Sequence, residues 1–232
     1  MSGVHQSAAH FRGKPLRAVI FDLDGTLIDS AGDLRAALNQ VLAAQGRTAL
    51  DTRRVQAMTG DGIGKLVERA LAATGGVPDD VTLRASIDEA LAAYVARPAA
   101  ETVPYTGVVD ALEAFRAAGL RMAVCTNKVE DLSRLILETL DLATFFDIII
   151  GGDSLPQRKP APEPVLACLA GMEVGPGEAI FVGDSRNDLL AARAASLPVA
   201  LIPSGYGTPR NDDTPPDLEV ADMATLARMI LR

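Results

Sequence analysis

The chain has 232 residues, enough to bury a full core as one large domain or two small ones. A formal charge of −8 leaves no surplus for the basic stripe that a nucleic-acid surface needs, and no apolar run reaches the roughly 18 residues that cross a bilayer. The only histidines, His5 and His10, lie near the start, so acid–base chemistry falls to carboxylates. Cys125 sits in a strand-like run and Cys168 in a helix-like one; both read as small core residues rather than a disulfide.

Residues 1–15, MSGVHQSAAHFRGKP, lack the apolar centre of a signal peptide and read as a flexible tail, as expected of a cytoplasmic protein. Ala18–Phe21 is a short apolar run typical of a buried strand. It leads into FDLDGTLIDS, where Asp22 and Asp24 bracket one leucine and Gly25 breaks the strand. Ser30 or Asp29 can cap a helix to about Gln45, with Leu34, Ala37, Leu38, Val41 and Leu42 on one face. Further helices are expected at about 51–58, 63–73 and 81–96, with the loop TGDGIG at 59–64. From Tyr105 the pattern alternates. Helices are expected near 108–118, 128–140, 164–169, 187–195 and 224–231, and strands near 120–125, 147–150, 179–182 and 199–202. Strands joined by crossover helices predict an α/β fold, a Rossmann-like parallel sheet sandwiched by helices. Residues 16–30 and 103–232 form its core, and 31–102 an inserted α-helical cap.

In such sheets ligands bind beyond the carboxyl ends of the strands. Asp22 and Asp24 end the first strand, Thr126-Asn127 the second and Gly183-Asp184 the fourth, while Lys159 follows the third. A centre of carboxylates, a hydroxyl and one ammonium, without His or Cys, suits Mg²⁺ rather than zinc. It also suits phosphate-ester hydrolysis, which needs a barrier reduction on the order of 20 kcal/mol. A carboxylate nucleophile splits that reaction through an acyl phosphate. Either Asp22 or Asp24 can attack, with the other as acid and then base. Thr126, Asn127 and Lys159 would hold the phosphoryl oxygens.

The segments Asp22-x-Asp24-Gly25-Thr26, Thr126-Asn127, Lys159-Pro160 and Gly183-Asp184-Ser185-Arg186-Asn187-Asp188 resemble the four motifs of the haloacid dehalogenase-like phosphohydrolases, in order, over about 16–207. The resemblance implies Asp22 as nucleophile and Asp24 as acid and base. It also implies Mg²⁺ on Asp22, the Asp24 backbone carbonyl and Asp184, with Asp188 in support. One departure is Ser196, where relatives often have glycine. Asp24 favours phosphoryl transfer over dehalogenation, whose catalysts lack a second acid there.

Met58–Gly64 with the following Leu66–Leu71, and the Gly205-Tyr206-Gly207 loop, are similar to bacterial phosphoglycolate phosphatases. This implies 2-phosphoglycolate as substrate, with Gly60, Lys65 and Arg69 as candidates for its carboxylate. A phosphatase for pyrophosphate or a sugar phosphate, or a β-phosphoglucomutase-like mutase, are the alternatives. The expected partner is a small phosphorylated metabolite, with neither nucleic acid nor membrane. The oligomeric state, monomer or homodimer, stays open.

Overall fold

The computed structural model describes residues 9–204, 206 and 215–231. The chain enters through a two-stranded hairpin, β1 (His10–Phe11) and β2 (Lys14–Pro15). The Leu16 N–H donates to the Ala9 carbonyl at 2.7 Å, and Arg12 pairs with Asp217 at 2.7 Å. The stretch read as a tail therefore ends in an anchored hairpin, because buried Ala9 and the Arg12 pair tie it to the core. Residues 1–8 lie outside the described residues.

The first core strand, β3 (Ala18–Phe21), leads to β4 (Ile28–Asp29) and then to four helices: α1 (Ala31–Ala44), α2 (Thr52–Met58), α3 (Ile63–Ala73) and α4 (Asp80–Val95). All five residues expected on the inner face of α1 are buried. This helical insert leaves and rejoins the core through one ribbon, since β4 pairs antiparallel with β5 (Val103–Pro104). Buried Asp33 in α1 ties the exit further, accepting from the Glu101 and Thr102 N–H groups and from the Thr102 hydroxyl at 2.6 Å.

The remaining elements are α5 (Val108–Ala117), β6 (Arg121–Cys125), α6 (Glu130–Thr139), β7 (Ile148–Ile150), α7 (Glu163–Met172), β8 (Ala179–Gly183), α8 (Arg186–Ala194), β9 (Val199–Leu201), β10 (Leu218–Glu219) and α9 (Met223–Ile230). Six strands form one sheet in the order β10-β9-β8-β3-β6-β7, with every neighbouring pair parallel. Alternation along β3 splits its side chains between two layers, as the pleat requires. Val19 and Phe21 join the core that holds Leu112 and Phe115 of α5 and Leu226 and Ile230 of α9. Ala18 and Ile20 join Val165 and Leu169 of α7 and Leu189 of α8. Each such large side chain, fully buried, stabilises the fold by roughly 1.5–3 kcal/mol. Cys125 and Cys168 are free thiols buried in that second layer. Among the described residues no helix is long and apolar enough to cross a membrane.

The chain runs outward from β3 to β6 and β7, then returns to build β8, β9 and β10 on the other side. That reversal makes the carboxyl end of β3 the switch point where open sheets of this kind bind ligands.

Ser196 closes α8 at φ +63°. Its N–H donates to the Arg193 carbonyl at 3.0 Å, and that of Leu197 to Ala192 at 2.9 Å. This double closure places Ser196 at the left-handed position of a Schellman motif, where glycine escapes the steric penalty of a Cβ. Ser196→Gly is expected to stabilise the protein by about 0.5–1 kcal/mol, net of the glycine's greater freedom when unfolded. Thermal melting should rise by roughly 1–4 °C, and a fall would show that the Ser196 side chain is needed there.

Candidate active site

Three neighbouring strand ends converge. Asp22 follows β3, Thr126 follows β6 and Asp184 follows β8, and the sheet order sets β3 between the other two. The Asp22 N–H extends the ladder to the Val182 carbonyl at 2.8 Å, and the Thr126 N–H does the same to Ile150 at 3.0 Å. Gly25 turns the chain at φ +85°, where a Cβ would strike the Asp184 carboxylate and the Ser204 hydroxyl. Lys159 arrives from the loop between β7 and α7 and is 2% exposed. Its Nζ lies 2.9 Å from Asp22 Oδ1 and 2.6 Å from Asp188 Oδ1.

Asp188 is fully buried in the first turn of α8. Its Oδ2 accepts from the Asp184 and Ser185 N–H groups and, at 2.7 Å, from the Ser185 hydroxyl. With Oδ1 on Lys159, both its oxygens are engaged. Asp22, Asp184 and Asp188 bring carboxylate oxygens within 4.8 Å of one another. Burial and then repulsion from Asp188 push the Asp22 carboxyl up to about 6, against the pull of Lys159. Burial, Asp188 and Asp22 likewise raise Asp184 well above its ordinary value. For Lys159 burial disfavours the charge, but Asp188 and Asp22 outweigh it and hold the ammonium protonated.

Asp24 belongs to a separate cluster. Lys128 Nζ lies 2.9 and 2.8 Å from its two oxygens, and Ser30 Oγ donates to Oδ1. Lys128 also donates to the Tyr94 hydroxyl of α4 at 3.0 Å and lies 4.6 Å from that ring's centre. Ser30, expected as a candidate cap for α1, is thus turned toward Asp24, and Asp29 Oδ1 accepts the Ala31 N–H instead.

The insert closes over this edge. Asp22, Asp24, Thr126, Asn127 and Lys128 line a cavity opposite Thr59, Gly60, Gly62, Ile63 and Leu66 of the insert. Asn127 Nδ2 donates to the carbonyls of Gly60 and Lys159, each at 3.0 Å, while Asn187 Nδ2 donates to Asp61 Oδ1 at 2.7 Å. Gly62, at φ +85°, brings the loop so near the Asn127 carbonyl that a Cβ would sit 2.8 Å from it.

A family model described as haloacid dehalogenase-like hydrolase matches residues 19–202. The chain belongs to that family. It is similar to phosphoglycolate phosphatases of Nitrosospira multiformis, 42% identical over 85% of this chain and 87% of the relative, and of Rhodospirillum rubrum, 43% identical over 82% and 80%. Among solved structures it resembles a Haemophilus somnus protein described as a predicted phosphoglycolate phosphatase. The TM-score is 0.85 at 27% identity, covering 98% of this chain and 99% of that one. CbbY of Rhodobacter sphaeroides, solved with phosphate, aligns with a TM-score of 0.77 at 27% identity over 91% and 96%.

The acidic trio of this haloacid dehalogenase-like chain suits a metal ion. Asp22 Oδ1 is buried without a hydrogen-bond partner: Lys159 is close enough for an ion pair but lies off the hydrogen-bonding directions. Three carboxylates against one ammonium also leave the cluster short of positive charge, and the donor set is oxygen alone, as hard divalent cations prefer.

The sequence-predicted residues divide by place. Asp22, Asp24, Thr126 and Asn127 meet at the cavity with Gly60, and Lys159, Asp184 and Asp188 gather around Asp22. Lys65 instead pairs with Glu68 at 2.6 Å, and Arg69 pairs with Asp61 and donates to the Met58 carbonyl at 2.7 Å; neither lines the cavity. Sequence reasoning passed over Lys128, although it adjoins Thr126-Asn127 at a strand end. Tyr94 carries no comparable signal, since on α4 it reads as one more buried aromatic.

Proposed function

We propose that this protein is a Mg²⁺-dependent phosphatase that hydrolyses 2-phosphoglycolate to glycolate and phosphate through a phospho-aspartate intermediate. The observation that carries this reading is the division of labour between two adjacent carboxylates. Asp22 pairs with Lys159 among the acidic trio, while Asp24 pairs with Lys128 and Ser30, and both face one cavity beneath the insert. The substrate comes from the relatives named phosphoglycolate phosphatase at 42% and 43% identity.

In this reading Asp22 attacks phosphorus and Asp24 protonates the leaving ester oxygen as the P–O bond breaks. Asp24 then takes a proton from the water that cleaves the aspartyl phosphate. Repulsion between one phosphate charge and a carboxylate at 4 Å is about 4 kcal/mol at an effective dielectric of 20. Lys159 offsets it beside Asp22, and the Thr126 hydroxyl and the Asn127 segment orient the phosphoryl oxygens. Asp22, the Asp24 backbone carbonyl and Asp184 would hold Mg²⁺, with Asp188 fixing the Asp184 backbone and Lys159. When bound, the ion supplies positive charge to the phosphoryl group. Closure of the insert through Asn127 and Asn187 excludes water from the cavity.

The test is a panel of 2-phosphoglycolate, pyrophosphate, sugar phosphates and β-glucose 1-phosphate, with phosphate release and isomerisation both followed. Highest kcat/KM is expected for 2-phosphoglycolate. EDTA should abolish turnover and Mg²⁺ restore it. Preference for another ester, or isomerisation without release, would overturn the substrate assignment; turnover insensitive to EDTA would overturn the metal.

A further inference from the structure

We infer that Lys128 is the residue that recognises a second acidic group on the substrate, a carboxylate set beside the phosphate ester. The inference rests on the phosphatase reading above and names the group that selects within it. Among the described residues lining the cavity Lys128 is the one cation; Lys65 and Arg69 lie outside it, paired on the insert, and Lys159 lies beside Asp22 and Asp188. Its backbone is fixed: the N–H donates to Thr126 Oγ1 at 3.2 Å and the carbonyl accepts from Gly152 at 2.7 Å. Its four-carbon stem carries the ammonium to Asp24 and Tyr94, in a cavity whose apolar wall is made by Leu34, Ile63, Leu66 and Leu132.

That wall makes the ammonium decisive. A carboxylate brought against it without a cation loses its hydration and gains nothing in return, whereas a charge-assisted hydrogen bond in such surroundings is strong. Lys128 already addresses one carboxylate, that of Asp24, with both oxygens in reach. A substrate carboxylate exchanges one anion for another at the same ammonium, and Asp24 keeps Ser30 as its donor. Tyr94 holds Lys128 from the insert side, so its position also depends on the insert being closed. An ester with no second acid cannot make this exchange.

A purely structural Lys128, present only to neutralise Asp24, would affect all esters alike, and this separates the two roles. Wild type, Lys128→Met and Lys128→Arg are assayed with Mg²⁺ on 2-phosphoglycolate and on 2-hydroxyethyl phosphate, which has the same skeleton without the carboxylate. Wild type should favour the acid. Lys128→Met should reduce the ratio of the two kcat/KM values by about 10–100-fold, and Lys128→Arg should recover part of it. Equal losses on both esters, or an unchanged ratio, overturn the inference. Wild type inactive on 2-phosphoglycolate overturns the substrate reading itself, a distinct failure seen before any variant is made, and the inference falls with it.

If Lys128→Met does not fold, the charge-balanced Asp24→Asn/Lys128→Met is compared with Asp24→Asn by calorimetric binding of the same two esters. Removing Lys128 should erase the acid's advantage. An advantage that survives overturns the inference.

Discussion

Asp22→Asn is expected to lower phosphate release by roughly 10⁴- to 10⁶-fold, the scale of losing a nucleophile, and yet to melt above the wild type in metal-free buffer at pH 8. The first effect follows from the proposed covalent step, and the second from crowding. Folded Asp22, raised to about 6, keeps its proton over a range in which the unfolded carboxyl, at about 3.9, has lost it. The wild type therefore loses stability as pH rises from about 4 to about 6 and carries the whole loss above that. Asparagine keeps the volume and has no charge to repel Asp184 and Asp188, while Lys159 retains its contact with Asp188 at 2.6 Å. The gain is on the order of 2 kcal/mol above pH 6, a few degrees of melting temperature. It should vanish below pH 4. Mg²⁺ should reverse the order, because an ion that binds the wild type more tightly stabilises it more. Melting curves across pH, with and without Mg²⁺, test the idea together with turnover. A variant that melts lower at pH 8 without metal, or that turns over normally, would refute it.

The same balance of forces explains what could be read from the chain. The strand Ala18–Phe21 and the helix Ile63–Ala73 stand where periodicity places them, because each buries a face that repeats at its own period. The parallel sheet follows from their alternation, and the sheet order then brings Asp22, Thr126 and Asp184 to one edge. The ribbon of β4 and β5 and the edge strand β10 are two residues long per strand and too short for any period to show. Ion pairing was less legible still. Lys65 and Arg69 promised charge near the cap loop, but only the folded helix shows that Glu68 and Asp61 claim them. Ser30 has the chemistry of a helix cap and is diverted by Asp24, six residues earlier. Lys128 and Tyr94 meet because the fold brings α4 of the insert to the cavity that Lys128 lines, a contact that no local pattern encodes.

Lys159→Met should be far more damaging to the fold than Asp22→Asn, although it too removes one charge. The lysine is 2% exposed and is the one ammonium within 4 Å of both Asp22 and Asp188 among the described residues. Removing it leaves buried carboxylates uncompensated, which typically costs about 3–5 kcal/mol, or about 10 °C in melting temperature for a chain of this size. Because its partners raise the lysine's pKa, its contribution is fully present below the unfolded value near 10.4. The lysine itself therefore adds no pH dependence from pH 7 to 9, but without it Asp22 and Asp184 rise further, so the deficit relative to wild type should widen as pH increases through that range. Lys159→Met/Asp188→Asn restores charge balance and should recover much of the stability, since a neutral buried pair is tolerated far better than a half-removed one. It should not recover turnover, because the ammonium that offsets the phosphate beside Asp22 is still missing. Melting and phosphate release on the two single variants and the double variant make a closed cycle, with a coupling of at least about 1 kcal/mol expected for groups in contact. A single variant as stable as wild type would show Lys159 to be an incidental neighbour of the trio. A double variant that regains activity would confine the lysine to holding Asp188 and remove it from phosphate binding.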